Sequence, residues 1–186
     1  MDEKNQLDRY IDFALSGIPE LKTAERRNWL GEFREKIVLA LTSEQIQRDD
    51  ALQLVEEKMK DHRVDALIVK GQVNQEIAGK LMTICQRTGK DYRSINRPDL
   101  KGDIAMVLVS NDAVDEENVL LDASALLSDT FYHARSNKLC KKHMEELKKQ
   151  YPQFENRFEE IGLLDKMIGT KCGVCEGGEE DLGPLY

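Results

Sequence analysis

What this chain has little of is the first guide to it. No apolar run approaches the ~20 residues that a membrane-spanning helix requires, and Met1-Asp2-Glu3-Lys4-Asn5-Gln6 lacks the basic-then-apolar order of a secretory signal. The expected location is the cytoplasm. Cysteine is scarce, with four in 186 residues, which is too sparse for a disulfide scaffold and leaves thiols or metal ligands. Basic residues are in the minority: Lys and Arg total 27 against 35 Asp and Glu, for a formal charge of −8. A general phosphate-backbone binder is disfavoured, because counterion release needs a concentrated basic face. Aromatic residues are only 6% of the chain, yet 40% apolar residues suffice for a real core. There is no internal repeat and no glycine-rich phosphate loop. Gly79-Lys80 falls inside a helical pattern, and Gly89-Lys90 lacks a preceding glycine-rich turn. His62 and His133 stand apart from any acid-and-nucleophile set, and the carboxylates lie on helix faces, so no catalytic residue and no organic-cofactor site is assigned.

What is present centres on Val64 to Val109. Val64-Asp65-Ala66-Leu67-Ile68-Val69 is a short β-branched run that fits a strand buried on both faces. Asn74 to Thr88 switches to helical period, with Ile77, Ala78, Leu81, Met82, Ile84 and Cys85 in one stripe and Gly89 as terminator. Cys85 reads as a buried core thiol. Tyr92 to Ile95 is a weak strand and Ile104 to Val109 a strong one. Upstream, Leu7 to Phe13 predicts an amphipathic turn, punctuated by Ile18-Pro19. Thr23 is placed as the N-cap of a helix reaching Leu41, with Trp29, Leu30, Phe33, Ile37, Val38 and Leu41 inward. Asp49 to Lys60 is a further helix. Residues Asp115 to Asp129 read as a surface arm or short strand plus linker. Two helices follow, Phe131 to Gln150 and Phe154 to Ile168, separated by Tyr151-Pro152. The fold class is α/β, an α+β sandwich with a small sheet flanked by helices, plus a helical C-terminal lobe. The expected divisions are 1–22 (N-terminal segment), 23–122 (α/β core), 123–175 (lobe) and 176–186 (acidic, Gly-rich disordered tail).

The chemically explicit signal is Cys140-Lys141-Lys142-His143 followed by Cys172-Gly173-Val174-Cys175. On the predicted helix Cys140 and His143 share one face. Cys172 and Cys175 have the spacing of a metal knuckle, and Gly173 lets the backbone turn around an ion. Together they supply a Cys₃His set that closes a tetrahedral zinc site and leaves no position for substrate, so the zinc is structural. Two other readings stand beside it: a redox pair at Cys172 and Cys175, and unligated thiols. A redox C-x-x-C normally begins a helix after a strand, whereas this one follows a predicted helix and precedes the tail. Lys138, Lys141, Lys142, Lys148 and Lys149 fall on the same predicted helix after Arg135, diluted by Glu145 and Glu146. Such a run is more often a solvated face than a nucleic-acid contact.

The run Trp29-Leu30-Gly31-Glu32-Phe33-Arg34-Glu35-Lys36-Ile37-Val38-Leu39-Ala40-Leu41-Thr42, preceded by Glu25-Arg26-Arg27, resembles the N-terminal signature of the YueI-like family of uncharacterised bacterial proteins. Ala66 to Gly71 and Ile104 to Val114 are similar to that family's strand regions, and the resemblance covers roughly Ile18 to Val114. It implies a small α/β sandwich of the broad type shared by chorismate-mutase-like and kink-turn-RNA-binding ribosomal domains, and a Gram-positive, cytoplasmic origin. It implies no activity, since fold does not give function. Kink-turn binders present Gly-x-Asn-Glu at a helix start, where this chain has Gln47-Arg48-Asp49-Asp50, two carboxylates in place of a phosphate site.

The expected function is a non-enzymatic binding or regulatory protein with a structural zinc, an unknown protein as partner and no membrane association. RNA association through the core or the basic helix, and thiol redox chemistry at Cys172 and Cys175, are the alternatives.

Overall fold

Two apolar runs with no polar alternation demand a sheet covered on both sides, and the computed structural model, which describes residues 19–177, provides one. The elements before residue 122 are α1 (Pro19–Asn28), β1 (Ile37–Thr42), α2 (Asp49–Lys58), β2 (Ala66–Lys70), α3 (Gln75–Thr88), β3 (Asp91–Ile95) and β4 (Ile104–Val109). The strands form a four-stranded mixed sheet in the order β1-β4-β2-β3. β4 runs antiparallel to both β1 and β2, while β2 and β3 pair in parallel. That parallel pair needs a crossover, and α3 supplies it. Asn74 caps α3 by accepting the Glu76 N–H at 3.0 Å, and Gly89 closes it at φ 69°, a left-handed conformation that glycine adopts without strain. The chain divides into two compact units, Met1–Leu121 and Asp122–Tyr186. The first is a small mixed sheet flanked by helices.

Because successive strand residues face opposite ways, β2 serves two cores at once. Ala66 and Ile68 join Leu30, Ile37, Ala40, Val107, Val109 and Val119 on one face. Leu67 and Val69, equally buried, point to the other. β3 is the exposed edge. The opposite edge, β1, is covered at one point: the Ala40 N–H donates to Val119 and the Leu121 N–H to Ala40, forming a parallel bridge at Leu120. The segment expected as an arm or short strand thus meets an edge that would otherwise offer free backbone groups.

The long helix expected from Thr23 to Leu41 is not formed. α1 ends at Asn28, and Leu30 and Gly31 take positive φ values of 52° and 94°. The Gly31 N–H closes on the Arg26 carbonyl at 2.7 Å and the Arg26 Nε donates to the Gly31 carbonyl at 2.6 Å. Thr23 lies inside α1, not at its cap. Ile37 to Leu41 is apolar enough for a helix stripe or for a buried strand, and the open edge of β4 decides for the strand. Of the residues expected inward, Leu30, Ile37, Val38 and Leu41 are buried, and Trp29 and Phe33 are half-buried. The turn expected over Leu7 to Phe13 lies outside the described residues.

At the entrance to β2, Asp61 receives the Arg63 guanidinium at 2.7 Å and its backbone N–H at 3.0 Å, and Arg63 also reaches Glu116 at 2.9 Å. The Arg63 side chain, with its backbone N–H, holds the Asp61 carboxyl well below the usual carboxylate range. A depressed folded-state pKa stabilises the fold above the unfolded carboxylate value, near 3.9, and that stabilisation disappears as pH falls through the folded value. Asp61→Asn is therefore expected to cost about 1 kcal/mol at pH 7, allowing for solvent screening. In urea titrations the gap from the parent protein should close below about pH 3; a gap unchanged by pH would refute this account.

The second unit opens with a 3₁₀ turn at Ala123–Ala125 and contains α4 (Asp129–Tyr132), β5 (Lys138–Leu139), α5 (Lys141–Gln150), β6 (Glu159–Glu160), α6 (Leu163–Met167) and α7 (Gly173–Gly177). The two long helices expected here are broken into short pieces around a parallel β5–β6 pair. Ser136 and Asn137, which favour turns, interrupt the first; the Asn137 carbonyl accepts the Glu159 N–H at 2.8 Å. Pro152 starts a 3₁₀ turn and Gly162 interrupts the second. Phe131, Leu139, Met144, Leu147 and Phe154 are buried, as are Leu126, Leu127 and Val174. Leu164 and Ile168, apolar positions of the expected last helix, are 77% and 80% exposed. Glu176 and Gly177, assigned to the tail, end α7, and residues 178–186 lie outside the described residues.

Candidate metal centre

The four residues singled out by spacing do meet. The Nδ1 of His143 lies 3.4 Å from the Cys140 Sγ, 3.4 Å from the Cys172 Sγ and 3.6 Å from the Cys175 Sγ. All four donor atoms fall within 4.8 Å of one another, and this is the metal-capable cluster of the described residues. Tetrahedral zinc, with Zn–S near 2.3 Å and Zn–N near 2.0–2.1 Å, requires sulfur and nitrogen about 3.5 Å apart. The three observed separations bracket that value.

Local structure explains how two short motifs achieve this. Cys140 is not on the helical face with His143, as expected; it is the N-cap of α5, in extended conformation at φ −69° and ψ 161°. Its carbonyl accepts the Met144 N–H at 3.0 Å, so His143 occupies the third helical position. An N-cap side chain naturally folds over that position. Cys172 repeats the arrangement: it precedes α7, its carbonyl accepts the Glu176 N–H at 3.0 Å, and Cys175 is the third helical residue. Two helix starts of the same design therefore face each other. The C-x-x-C pair does open a helix, a feature that its sequence neighbours conceal.

The electrostatics suit a thiolate. Burial works against charge on Cys172, but the backbone N–H groups of Cys140 and Cys175, the His143 ring and the Val174 N–H outweigh it and bring the thiol down to about 6. Cys175 moves the other way, to about 11, through its hydrogen bond with Cys172, burial and the Cys172 charge. The opposed shifts favour charge on Cys172 over Cys175; a bound divalent ion would favour thiolates at both. Cys85 is buried in the first unit, and its thiol is pushed up to about 11 by that burial, in keeping with a core role.

Two supports escaped the sequence. Gly173 has no room for a side chain: a Cβ there would sit 2.7 Å from the Ser136 backbone nitrogen, 3.0 Å from its Oγ, and closer still to its carbonyl oxygen. Its role is close approach, not the turn around an ion that its place in the motif suggests. The Arg135 N–H donates to the Gly173 carbonyl at 3.2 Å, which ties the two ligand segments together. Lys138, expected on the basic helix, instead lies in β5 and pairs with Glu159 at 2.8 Å and Asp165 at 3.2 Å. Asp165 in turn accepts the Gly162 N–H at the start of α6. Lys141 and Lys148 have partners in Glu145 and Glu155, so the basic run is interleaved with acid. No spacing rule would have flagged Ser136 or Asp165.

Elsewhere, the Asp49-Asp50 pair does not present two carboxylates to solvent. Asp50 is fully buried and bonded to Arg48 at 2.8 Å, and Asp49 pairs with Lys80 at 2.9 Å. His62 is exposed beside Asp61, and His133 packs edge-on against Tyr132. Among the described residues no helix is long and apolar enough to cross a membrane.

Comparison with known proteins agrees with the architecture of the first unit. A relative, "Uncharacterized protein YueI" from Bacillus subtilis (strain 168), is 24% identical over 118 residues, which are 63% of this chain and 89% of that protein. The crystal structure of the YueI protein from Bacillus subtilis superposes with a TM-score of 0.52 at 24% sequence identity, covering 63% of this chain and 92% of the other. Its likeness establishes the fold of the matched region. Residues 4–120 match the family described as "Protein of unknown function (DUF1694)", and the match stops just short of the unit that carries the Cys/His cluster. The chain belongs to that family.

Proposed function

We propose that Cys140, His143, Cys172 and Cys175 bind one structural zinc ion, and that the protein is a non-enzymatic binding or regulatory protein of the cytoplasm. The observation that carries the metal reading is the set of three sulfur-to-Nδ1 separations, 3.4, 3.4 and 3.6 Å, about a single histidine nitrogen. Three soft thiolates and an imidazole suit zinc better than calcium, magnesium or manganese, which prefer oxygen. With all four positions filled by protein, no coordination site remains for a substrate or activated water. The metal then acts by holding α5 and α7 together, and recognition falls to the surfaces so fixed. A protein partner is favoured over RNA, because the lysines of the second unit are interleaved with Glu145, Glu155 and Glu159 and the chain as a whole carries −8.

The test is metal analysis of protein purified without added metal or a histidine tag, with thiols counted by alkylation before and after chelation. The expected result is about one zinc per chain, with three additional cysteines becoming reactive once the metal is removed. Metal-free protein whose C-terminal thiols alkylate at once would overturn the reading.

A further inference from the structure

The three sulfur ligands are not equally sheltered. Cys172 is 5% exposed and Cys140 half-buried, whereas Cys175 is exposed. A fully structural zinc site gains nothing from presenting one thiolate to solvent, and the presented one belongs to the C-x-x-C pair. Its sulfur lies within 4.8 Å of the Cys172 sulfur, and the two residues occupy the N-cap and third positions of α7, where side chains overlie each other. Resting on the zinc reading above, we propose that Cys175 is a peroxide-reactive ligand, and that its oxidation closes a Cys172–Cys175 disulfide and expels the metal.

The steps balance without any group beyond the peroxide. The Cys175 thiolate attacks one peroxide oxygen; an S–O bond forms, the O–O bond breaks, and hydroxide leaves to become water. The resulting sulfenic acid is a poor zinc ligand. The Cys172 thiolate then attacks the Cys175 sulfur; the S–S bond forms, the S–O bond breaks, and a second hydroxide leaves. Two thiolates lose two electrons and one peroxide gains them. Cys140 and His143 remain, two ligands where zinc needs four. The sulfurs must close to about 2.05 Å, a movement within the reach of side-chain rotation at a helix start. Cys85 takes no part, since it is buried in the other unit.

The experiment uses the zinc-loaded full chain, with metal content established first, then hydrogen peroxide added in steps beside a chromogenic zinc chelator. Zinc should appear in proportion to peroxide consumed, and peptide mass spectrometry should find the Cys172–Cys175 disulfide. A sulfenic-acid trap added during brief exposure should label Cys175 before Cys140. Cys175→His, which keeps four donors but removes the exposed thiolate, should retain its zinc under peroxide that strips the parent. Zinc-loaded protein that keeps metal and thiols in excess peroxide would overturn this proposal alone, as would first labelling at Cys140. A chain that carries no zinc at the outset would overturn the structural-metal reading and this proposal with it. If Cys175→His fails to bind zinc, the trapping order in the parent still decides.

Discussion

Removing the metal should unfold residues 122–177 while the first unit stays folded. The second unit has a small core, built mainly on Phe131, Leu139, Met144, Leu147 and Phe154, and its secondary structure is short: a two-residue strand pair and, apart from α5, helices of four or five residues. Units below about 70 residues rarely gain more than 3–5 kcal/mol from one hydrophobic core. Structural zinc sites contribute on the order of 10 kcal/mol, so on the proposed zinc reading the metal would decide whether this unit folds. The first unit has no such dependence, because β2 and β4 bury continuous apolar runs against two cores. Hydrogen exchange read by mass spectrometry would separate the two. After chelation, amides of α5 and of the β5–β6 pair should lose essentially all protection, and those of β2 and β4 should keep theirs. Cys172→Ala should reproduce the chelated pattern even with zinc present. Retained protection in α5 after confirmed metal removal would refute a metal-dependent fold.

The second large effect is expected from a single methyl group. Gly173→Ala places a Cβ against Ser136 atoms that cannot easily yield. Two of the three nearest are backbone, and the neighbouring chain is held by the Arg135–Gly173 hydrogen bond and by the pairing of Asn137 and Leu139 with the β6 segment. Overpacking of this kind costs roughly 1–3 kcal/mol, and the upper end is expected because relief would move the Cys172 ligand itself. Zinc affinity should fall by about tenfold or more, as it does when a supporting contact around a metal site is lost. Gly79→Ala gives the contrasting sign. Its Cβ meets nothing within 4 Å in the middle of α3, and alanine there should stabilise the first unit by about 0.5–1 kcal/mol. Thermal melts and competitive zinc titrations of both variants would check the pair. A Gly173→Ala protein with parental stability and affinity would show that the Ser136 contact is not a constraint.

The placement of the cluster in the chain bears on how such a protein is built. The family match ends at residue 120, and the Bacillus subtilis relative aligns over 89% of its own length within 63% of this chain. Little of that relative is left unmatched, too little for a unit the size of residues 122–186. The unit that carries the Cys/His cluster thus lies outside the segment matched by the family. Whatever distinguishes this protein from its shorter relative is to be sought there first.

How much of this was legible in the residues depends on whether the cause was local. β2, β4 and α3 are written in short range: uninterrupted apolar runs bounded by polar residues, and a helical stripe with Asn74 before it and Gly89 after it. That Cys140, His143, Cys172 and Cys175 cluster was legible too, because the chemistry of a tetrahedral ion requires donor types and short spacings that need no fold to recognise. Ile37 to Leu41 was not, since its run satisfies helix and strand equally and the choice belongs to the free edge of β4, distant in sequence. The same holds for the second unit. Asn137 and Leu139 became partners of Glu159 and Ile161, which broke both expected helices and moved Cys140 from a helix face to a helix cap. Gly173 carries the same lesson at the scale of one atom. The residue was visible in the motif, but the reason for it is the Ser136 backbone 37 positions earlier, and contacts at that separation are set only when the chain closes on itself. The sequence by itself determined β2, β3, β4, the helices α2 and α3, and the donor set; tertiary pairing decided which ambiguous runs became strands, where each cysteine sits, and which of them meets solvent.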